Sequence, residues 1–157
     1  MYLSATLLIS LAATALARPQ DAVPAAAAGS KKNVYLATCT SRGLLDSDTL
    51  SAVIYYNGPA RTGLSPTDVG TVSEPAKKWD GATRRTDLSA GRFTSKIAEG
   101  ADTLTKSQLA GTATLGSEEF VCFVDGTSTF RFSGGLLGLG TTNCKADFWC
   151  ASVEVGN

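Results

Sequence analysis

Apolar and polar residues alternate in short segments along most of this chain, and the alternation has the two-residue period of β-strands. Glycine, proline and the pairs Asn57-Gly58 and Asp125-Gly126 separate the segments, as turns between strands require. No long amphipathic helix interrupts the pattern, although residues 99–109 allow one or two helical turns. The pattern predicts an all-β fold, a single antiparallel β-sandwich or β-barrel domain. The segments are 33–40, 50–57, 68–73, 81–88, 91–98, 111–115, 119–124, 128–133 and 148–155.

The pair Asp125-Gly126 is the strongest turn signal in the sequence, because it lies between two clearly alternating segments. In the segment before it, Phe120 and Cys122 share one face. In the segment after it, Phe130 and Phe132 do the same. The sequence therefore predicts that these two segments pair with each other as a β-hairpin.

Residues 1–17 have the pattern of a secretory signal peptide, an apolar stretch that ends in the small-x-small motif Ala15-Leu16-Ala17. The stretch is too short to span a bilayer. Residues 18–32 are rich in Ala, Pro and small polar residues and predict a flexible arm, in which Lys31-Lys32 is either a processing site or a solvated pair. We expect residues 33–157 to form the β domain of a secreted protein.

The charge balance and the missing histidine exclude several classes of function. The chain has 14 basic and 14 acidic residues, which predicts no strong attraction to nucleic acid or to an anionic membrane. Without histidine, the usual acid–base group near neutral pH is missing, together with Ser-His-Asp and Cys-His nucleophile systems. No motif indicates a cofactor. We expect a protein that is not an enzyme, and a glycoside hydrolase built on two carboxylates is the catalytic alternative.

Four cysteines, Cys39, Cys122, Cys144 and Cys150, predict two disulfides in an exported chain. A zinc site would need all four thiolates, and the Cys-x-x-Cys pairs that such sites usually contain are missing, so no metal is expected. Of the three possible pairings we favour Cys39 with Cys122 and Cys144 with Cys150. The last two cysteines are close enough in sequence to close a local loop, although sequence alone does not settle the pairing.

Trp79 stands among four cations, with Lys77 and Lys78 before it and Arg84 and Arg85 after it. An aromatic ring among cations is typical of surfaces that bind anionic or sugar ligands. Trp79 is therefore our first choice for an exposed contact residue. The alternative is a basic hairpin in which Trp79 packs inward.

Asp147 and Trp149 form a second candidate binding pair, because their i, i+2 spacing on a strand places both on one face. On the other face, Phe148 accompanies Cys150. Phe148 has no polar atom and is easier to bury than Trp149, so we expect Trp149 to be partly exposed. The opposite arrangement, with Trp149 packed on a disulfide in the core, is the alternative.

The signal sequence, the arm, the four cysteines, the segment EEFVCFVDGT and the closing CKADFWC resemble small secreted four-cysteine proteins of filamentous fungi, which include elicitors of the plant hypersensitive response. The chain is more distantly similar to the fungal major-allergen and elicitor family of β-barrels. Its cysteine spacing departs from that family, so the family's topology and dimerisation are not carried over. Neither group supplies a catalytic motif. The resemblance implies an apoplastic protein that a host recognises or that interferes with the host.

We therefore expect a secreted, monomeric effector or elicitor that binds a host protein or a cell-wall glycan and modulates plant defence. Cell-wall carbohydrate binding is the alternative function. A barrel that holds a lipid, with GGLLGLG (134–140) at its mouth, is a further alternative. In the carbohydrate alternative the stacking platforms would be Trp79, Trp149, Tyr55 or Tyr56.

Overall fold

The computed structural model describes residues 31–42, 47–60, 64–133 and 140–153. The predicted signal peptide, most of the arm and residues 134–139 lie outside this part. The predicted helical turn is a single 3₁₀ turn, η1 (Ala101–Thr103), and among the described residues no helix is long and apolar enough to cross a membrane. The strands are β1 (Asn33–Arg42), β2 (Ser47–Tyr56), β3 (Asp68–Ser73), β4 (Thr83–Leu88), β5 (Gly91–Ile97), β6 (Leu109–Leu115), β7 (Glu118–Val124), β8 (Thr129–Ser133) and β9 (Thr141–Ser152).

The strands form one antiparallel sheet in the order β3-β2-β1-β9-β7-β6-β5-β4, with β8 also paired to β9. The end strands β3 and β4 meet through side chains: the Thr86 hydroxyl donates to the Thr71 carbonyl oxygen over 2.9 Å, and the Ser89 N–H donates to the Asp68 carboxylate over 2.6 Å. Gly70 allows this approach, because a Cβ there would lie 2.9 Å from the Thr86 side chain. The result is a nearly closed barrel, which confirms the predicted all-β fold.

Large side chains fill the barrel interior. Phe93, Phe120 and Leu36 are essentially inaccessible to solvent. Burial of a side chain of this size contributes about 1.5–3 kcal/mol. In the described part of the chain, packed side chains therefore occupy the space that a lipid-holding barrel would need. This inner cluster comprises Val34, Leu36, Val53, Tyr55, Trp79, Leu88, Phe93, Ile97, Ala101, Ala110, Ala113, Leu115, Phe120, Cys122, Phe148 and Cys150.

A second cluster covers the opposite face of β1, β2 and β9. These strands are consequently buried on both sides, which explains why all of 50–56 is buried although the segment alternates in character. Tyr35, Phe130 and Phe132 are half-buried and pack against its margin. This outer cluster comprises Ala37, Cys39, Leu50, Ala52, Ile54, Tyr56 and Cys144.

Strand β9 contributes side chains to both clusters, and a bulge at Asp147 changes which of them face each cluster. Against β1, Phe148 pairs with Leu36 and Ala146 pairs with Ala37, so Asp147 is one extra residue in β9. An extra residue reverses which side chains face which side of a sheet. The even-numbered residues before Asp147 face the outer cluster, and the even-numbered residues after it face the barrel interior.

The bulge determines which cysteines can pair. Cys39 bonds to Cys144, and Cys122 bonds to Cys150. Each bridge joins directly opposite residues of neighbouring strands, with Cα atoms 3.9 Å apart. The favoured pairing, Cys39–Cys122 with Cys144–Cys150, is therefore wrong. Cys144 and Cys150 lie on opposite faces of β9 and cannot reach each other, although they are close in sequence.

The predicted hairpin at Asp125-Gly126 is also wrong, because β7 and β8 both pair with β9 and follow each other along it. The N–H groups of Asp125 and Gly126 donate to the carbonyl oxygens of Asp147 and Ala146, each over 3.0 Å. The Asp125 carboxylate accepts four hydrogen bonds, from the backbone N–H and hydroxyl groups of the two residues that follow Gly126. The pair therefore forms a local bulge opposite Asp147, and the chain continues in its original direction.

Candidate functional site

A cleft of about 430 Å³ lies where the barrel interior opens to solvent. Thr38 is on the same face of β1 as the buried Leu36 but is exposed, which marks the end of the interior on this strand. The segment between β3 and β4 and the turn η1 face Thr38 across the opening. We call this site the mouth cleft, and its lining is Thr38, Ala76, Lys77, Lys78, Trp79, Asp80, Asp102, Val124, Gly126, Asp147 and Phe148.

The backbone that carries the two lysines is fixed from both sides. The buried Ser51 hydroxyl donates to the Lys77 carbonyl oxygen over 2.8 Å and accepts from the Lys77 N–H over 2.9 Å. The Arg84 guanidinium donates two hydrogen bonds, of 2.8 and 3.2 Å, to the Lys78 carbonyl oxygen. Main-chain atoms are thereby held while the side chains of Lys77 and Lys78 remain exposed.

Trp79 is 2 % exposed and belongs to the inner cluster. The prediction that it is an exposed contact is therefore wrong, and the inward-packing alternative is confirmed. Burial of a large aromatic ring is favourable, and the anchors at Lys77 and Lys78 fix the backbone that leads into this residue. Its indole N–H is buried and has no hydrogen-bond partner among the described residues. Trp79 forms the wall of the mouth cleft and is not an open stacking platform.

Asp147 brings a half-buried carboxyl group to the cleft because it is the extra residue of the bulge. Its carboxylate accepts a hydrogen bond of 2.7 Å from the Thr38 hydroxyl. Burial raises the pKa of Asp147, and the negative charge of Asp125 adds to this effect. The Thr38 hydrogen bond and the Lys145 ammonium oppose the shift of the pKa without cancelling it. The site thus holds a carboxyl group that takes up a proton more readily than a solvated aspartate.

The opposite rim of the cleft is acidic and exposed. The Asp102 N–H donates to the Asp80 carboxylate over 3.2 Å, and the Lys78 ammonium lies 3.5 Å from the Asp102 carboxylate. Both side chains of this ion pair are open to water, so it contributes little and leaves the Lys78 ammonium available. In the described part of the chain, no group of three or more His, Cys, Asp or Glu residues could hold a metal ion.

Only some of the predicted binding residues meet at this cleft. Lys77, Lys78, Trp79 and Asp147 line it, and Arg84 supports its backbone from behind. Arg85 is exposed on β4 and does not line it.

Asp147 and Trp149 do not share a face, so that prediction is wrong. The Asp147 carboxylate bonds to Thr38, whereas the Trp149 indole N–H donates to the Asn33 amide oxygen over 2.9 Å. Thr38 and Asn33 lie on opposite faces of β1, because side chains alternate along a regular strand. The bulge breaks the i, i+2 rule within β9. The expected exposure is confirmed, since Trp149 is half-buried and Phe148 is buried.

An apolar row on the outer surface escaped the sequence analysis. Leu109, Phe123, Trp149 and Tyr35 are directly opposite one another on β6, β7, β9 and β1. The Phe123 and Trp149 rings are stacked, with centroids 5.7 Å apart. Leu109 is 63 % exposed and the three aromatic residues are half-buried. Alternation identifies each as outward-facing, but only the strand order shows that they form a row.

Two other predicted stacking platforms are buried. Tyr55 lies inside the barrel and Tyr56 lies in the outer cluster, and they are 2 % and 4 % exposed. Both are buried because β2 is covered on its two faces.

Comparison with known proteins gives no match: no family model, no curated protein and no solved structure is significantly similar to this chain. The resemblance to secreted four-cysteine fungal proteins therefore stays a prediction from sequence motifs. The mouth cleft and the outer apolar row are the features of the described surface on which the functions proposed below rest.

Proposed function

We propose that this protein is an exported effector or elicitor that acts by binding and not by catalysis, and that it induces or modulates plant defence by recognising a host component. The observation that carries the proposal is the meeting of Lys77, Lys78 and Asp147 around the mouth cleft. The signal-like N-terminus and the two disulfides support export, because such bridges persist in oxidising compartments. The packed interior supports a function at the surface.

The chemistry of the cleft favours a ligand with charged groups of both signs next to an apolar one. Lys77 and Lys78 provide exposed ammonium groups, and Asp80 and Asp102 provide carboxylates at the opposite rim. Trp79 and Phe148 provide an apolar wall. The Asp147 carboxyl, with its raised pKa, accepts or donates a hydrogen bond according to its protonation. Exposed lysines act mainly as point charges, so they would set the rate of encounter and the choice of partner.

The test is infiltration of the purified, disulfide-bonded protein into leaves at micromolar concentration. We expect a defence response or local necrosis from the wild type and its loss in the double variant Lys77→Glu/Lys78→Glu. Lys96→Glu is the matched control, because Lys96 is an exposed lysine on β5 outside the cleft. A wild type without any response, or a control that fails like the double variant, would contradict the proposal.

Cell-wall glycan binding is the second candidate function, and the outer apolar row favours it. Four directly opposite side chains on adjacent strands cover about 14 Å, since strands lie ~4.8 Å apart. A glycan chain would pack against the exposed parts of these side chains. Trp149 at the centre of the row takes the place of Trp79 as the main platform.

Retention on insoluble plant and fungal cell-wall polysaccharides tests this candidate. We expect the wild type to be retained and Trp149→Ala to be released, with both proteins shown to be folded by their unfolding transitions. Leu104→Ala is the control, because Leu104 is an exposed apolar residue outside the row. Equal retention of Trp149→Ala and the wild type would reject a role for the row.

A further inference from the structure

Strand β8 is an edge of the sheet. It pairs with β9 along residues 141–145, and no described strand pairs with its other side. An edge strand presents a row of free N–H and C=O groups that can pair with another chain. Native proteins protect such edges with short strands, charged side chains, proline or a bulge. Strand β8, TFRFS, has five residues and one charge, Arg131, but it contains no proline and its register on β9 is regular.

The hydrogen bonds of β9 show which backbone groups of β8 point away from β9. The Ala146 N–H donates to the Ser128 carbonyl oxygen over 2.8 Å, so Ala146 directs its backbone groups toward the β8 side. Backbone direction alternates along a strand, hence Cys144 also faces β8 and forms a hydrogen-bonded pair with its partner Phe130. The N–H and C=O groups that point away from β9 belong to Thr129, Arg131 and Ser133.

A groove of about 780 Å³ runs along this free edge. All six consecutive residues 128–133 line it, and residues 64–66 line it as well. Alternate side chains of a strand point to opposite faces, so a groove on one face would touch only every second residue. Contact with all six residues means that the groove follows the backbone edge. Its shape fits an extended polypeptide segment lying beside β8.

One side of the groove is aromatic. The Phe130 ring lies 4.9 Å from the Tyr35 ring and 6.3 Å from the Tyr56 ring, measured between centroids. Phe132 is half-buried on the same face. A strand added to β8 would place every second side chain beside these rings. Apolar side chains at those positions would bury surface that is now partly exposed.

The other face is cationic. Arg131 is directly opposite Asn143 of β9. Lys145 lies on the same face of β9, and Arg42 lies on that face of β1, opposite Thr141. All three cations are exposed, and none has an ion-pair partner within 4 Å among the described residues. Acidic side chains on the remaining positions of an added strand would meet these charges.

We propose that the β8 edge binds an extended segment of a partner protein by β-strand addition, and that this segment alternates apolar with acidic residues. A second copy of this chain fits less well, because two-fold antiparallel pairing about the middle of β8 would place Arg131 opposite Arg131 of the other copy. The groove and the mouth cleft share no lining residue, so this inference goes beyond the proposed function and can fail separately from it.

The experiment uses fluorescence anisotropy with the full folded protein and two labelled peptides, one alternating valine with glutamate and one alternating valine with lysine. We expect saturable binding of the glutamate peptide and binding of the lysine peptide that is at least about tenfold weaker, which is ~1.4 kcal/mol. Arg131→Glu should reverse this preference.

Thr129→Pro should abolish binding of the glutamate peptide, because proline removes one outward N–H group and its ring obstructs the edge. Thr129→Val, which keeps the N–H group, is the matched control and should bind like the wild type. If Thr129→Pro does not fold, the peptide preference of Arg131→Glu is the measurement that tests the proposal. Absence of binding to the wild type, equal affinity for both peptides, or self-association of the wild type through β8 would overturn the proposal.

Discussion

Asp125 and Asp147 are neighbours at the junction of β7, β8 and β9, and their surroundings shift their pKa values in opposite directions. Burial acts to raise the pKa of both carboxyl groups. At Asp125 the hydrogen bonds from Ser128 and Thr127 outweigh burial, so the pKa is lowered. At Asp147 burial raises the pKa and the charge of Asp125 adds to this, whereas the hydrogen bonds from Thr38 and the Lys145 ammonium act to lower the pKa without compensating. The larger number of hydrogen-bond donors around Asp125 therefore accounts for the opposite directions of the two pKa shifts.

Asp125→Ala should reduce the free energy of unfolding by about 1–3 kcal/mol, because it leaves the N–H groups of Thr127 and Ser128 without their acceptor. Urea unfolding near neutral pH measures the loss. A lowered folded-state pKa gives stability that is present above the unfolded pKa and is lost as pH falls through the folded one. The deficit of the variant should therefore shrink in acid. Asp87→Ala, at an exposed ion pair, should change stability little, and equal losses would contradict this account.

Asp147→Asn should show the reverse trend with pH. A raised folded-state pKa gives stability that is present below the unfolded pKa and is lost as pH rises through the folded one. The amide keeps an acceptor for the Thr38 hydroxyl and carries no charge. We expect the variant to be at least as stable as the wild type near neutral pH, and its advantage to disappear toward about pH 4, the usual pKa of an aspartate. Urea unfolding at both pH values measures this, and an advantage that grows in acid would refute it.

At the scale of the element, the bulge of β9 determines more than any other local feature. One extra residue lets a single strand contribute Cys144 to the outer cluster and Cys150 to the inner one. It also lifts the Asp147 carboxyl into the mouth cleft and separates it from Trp149. A strand without the bulge would place all its even-numbered side chains on one face.

Deletion of Asp147 tests whether the bulge only accommodates an extra residue. Residues 141–146 and 148–151 pair with β1 on either side of Asp147, so the shortened strand can pair regularly and Cys144 stays opposite Cys39. We expect both native disulfides in the deletion variant, as measured by a mass-spectrometric disulfide map, and loss of the carboxyl group from the mouth cleft. Asp147→Ala keeps the residue count and should also retain both bridges. Loss of the Cys39–Cys144 bridge in the deletion variant alone would show that the bulge itself, and not pairing with β1, sets the cysteine faces.

The alternation of side chains located the strands, because it depends only on neighbours in sequence. Strand β3 coincides with the predicted segment 68–73, and β1 begins at Asn33 as the predicted segment 33–40 does. Strand β9, however, begins at Thr141, seven residues before the predicted segment 148–155. The disulfide pairing and the face of Asp147 depend on register and on a bulge, which alternation does not reveal. Asp125-Gly126 is as suitable for a bulge as for a hairpin, since both need an acceptor side chain and a left-handed glycine, here with φ of 67°.

For the candidate site residues too, the exposure of the two lysines could be predicted from the sequence, whereas side-chain direction could not. Lys77 and Lys78 were predicted at the surface, and their exposure follows from charge alone. Trp79 was predicted as a contact from its charged neighbours, but its orientation is set by Ser51 and Arg84, which hold the adjacent backbone. Those two residues are distant from each other in sequence. Side-chain direction in an irregular segment therefore required the tertiary structure.

On the scale of the whole molecule, two clusters share the strands β1, β2 and β9, and one disulfide lies in each cluster. The Cys39–Cys144 bridge holds the outer cluster and spans 105 residues of sequence. The Cys122–Cys150 bridge holds the inner cluster and spans 28 residues. The bridges thus tie β9 to its neighbours on both sides, on opposite faces of the sheet.

The two bridges should contribute unequally to stability. Loop-closure entropy predicts about 4–5 kcal/mol for the bridge over the longer loop and about 3–4 kcal/mol for the other. We expect Cys39→Ala/Cys144→Ala to unfold at lower urea concentration than Cys122→Ala/Cys150→Ala, since alanine keeps both sites apolar and all four cysteines are buried to a similar extent. Reduction of the wild type should then cost more than either double variant. A larger loss from the inner bridge would mean that packing around Cys122 and Cys150, and not the length of the closed loop, governs the stability of the barrel.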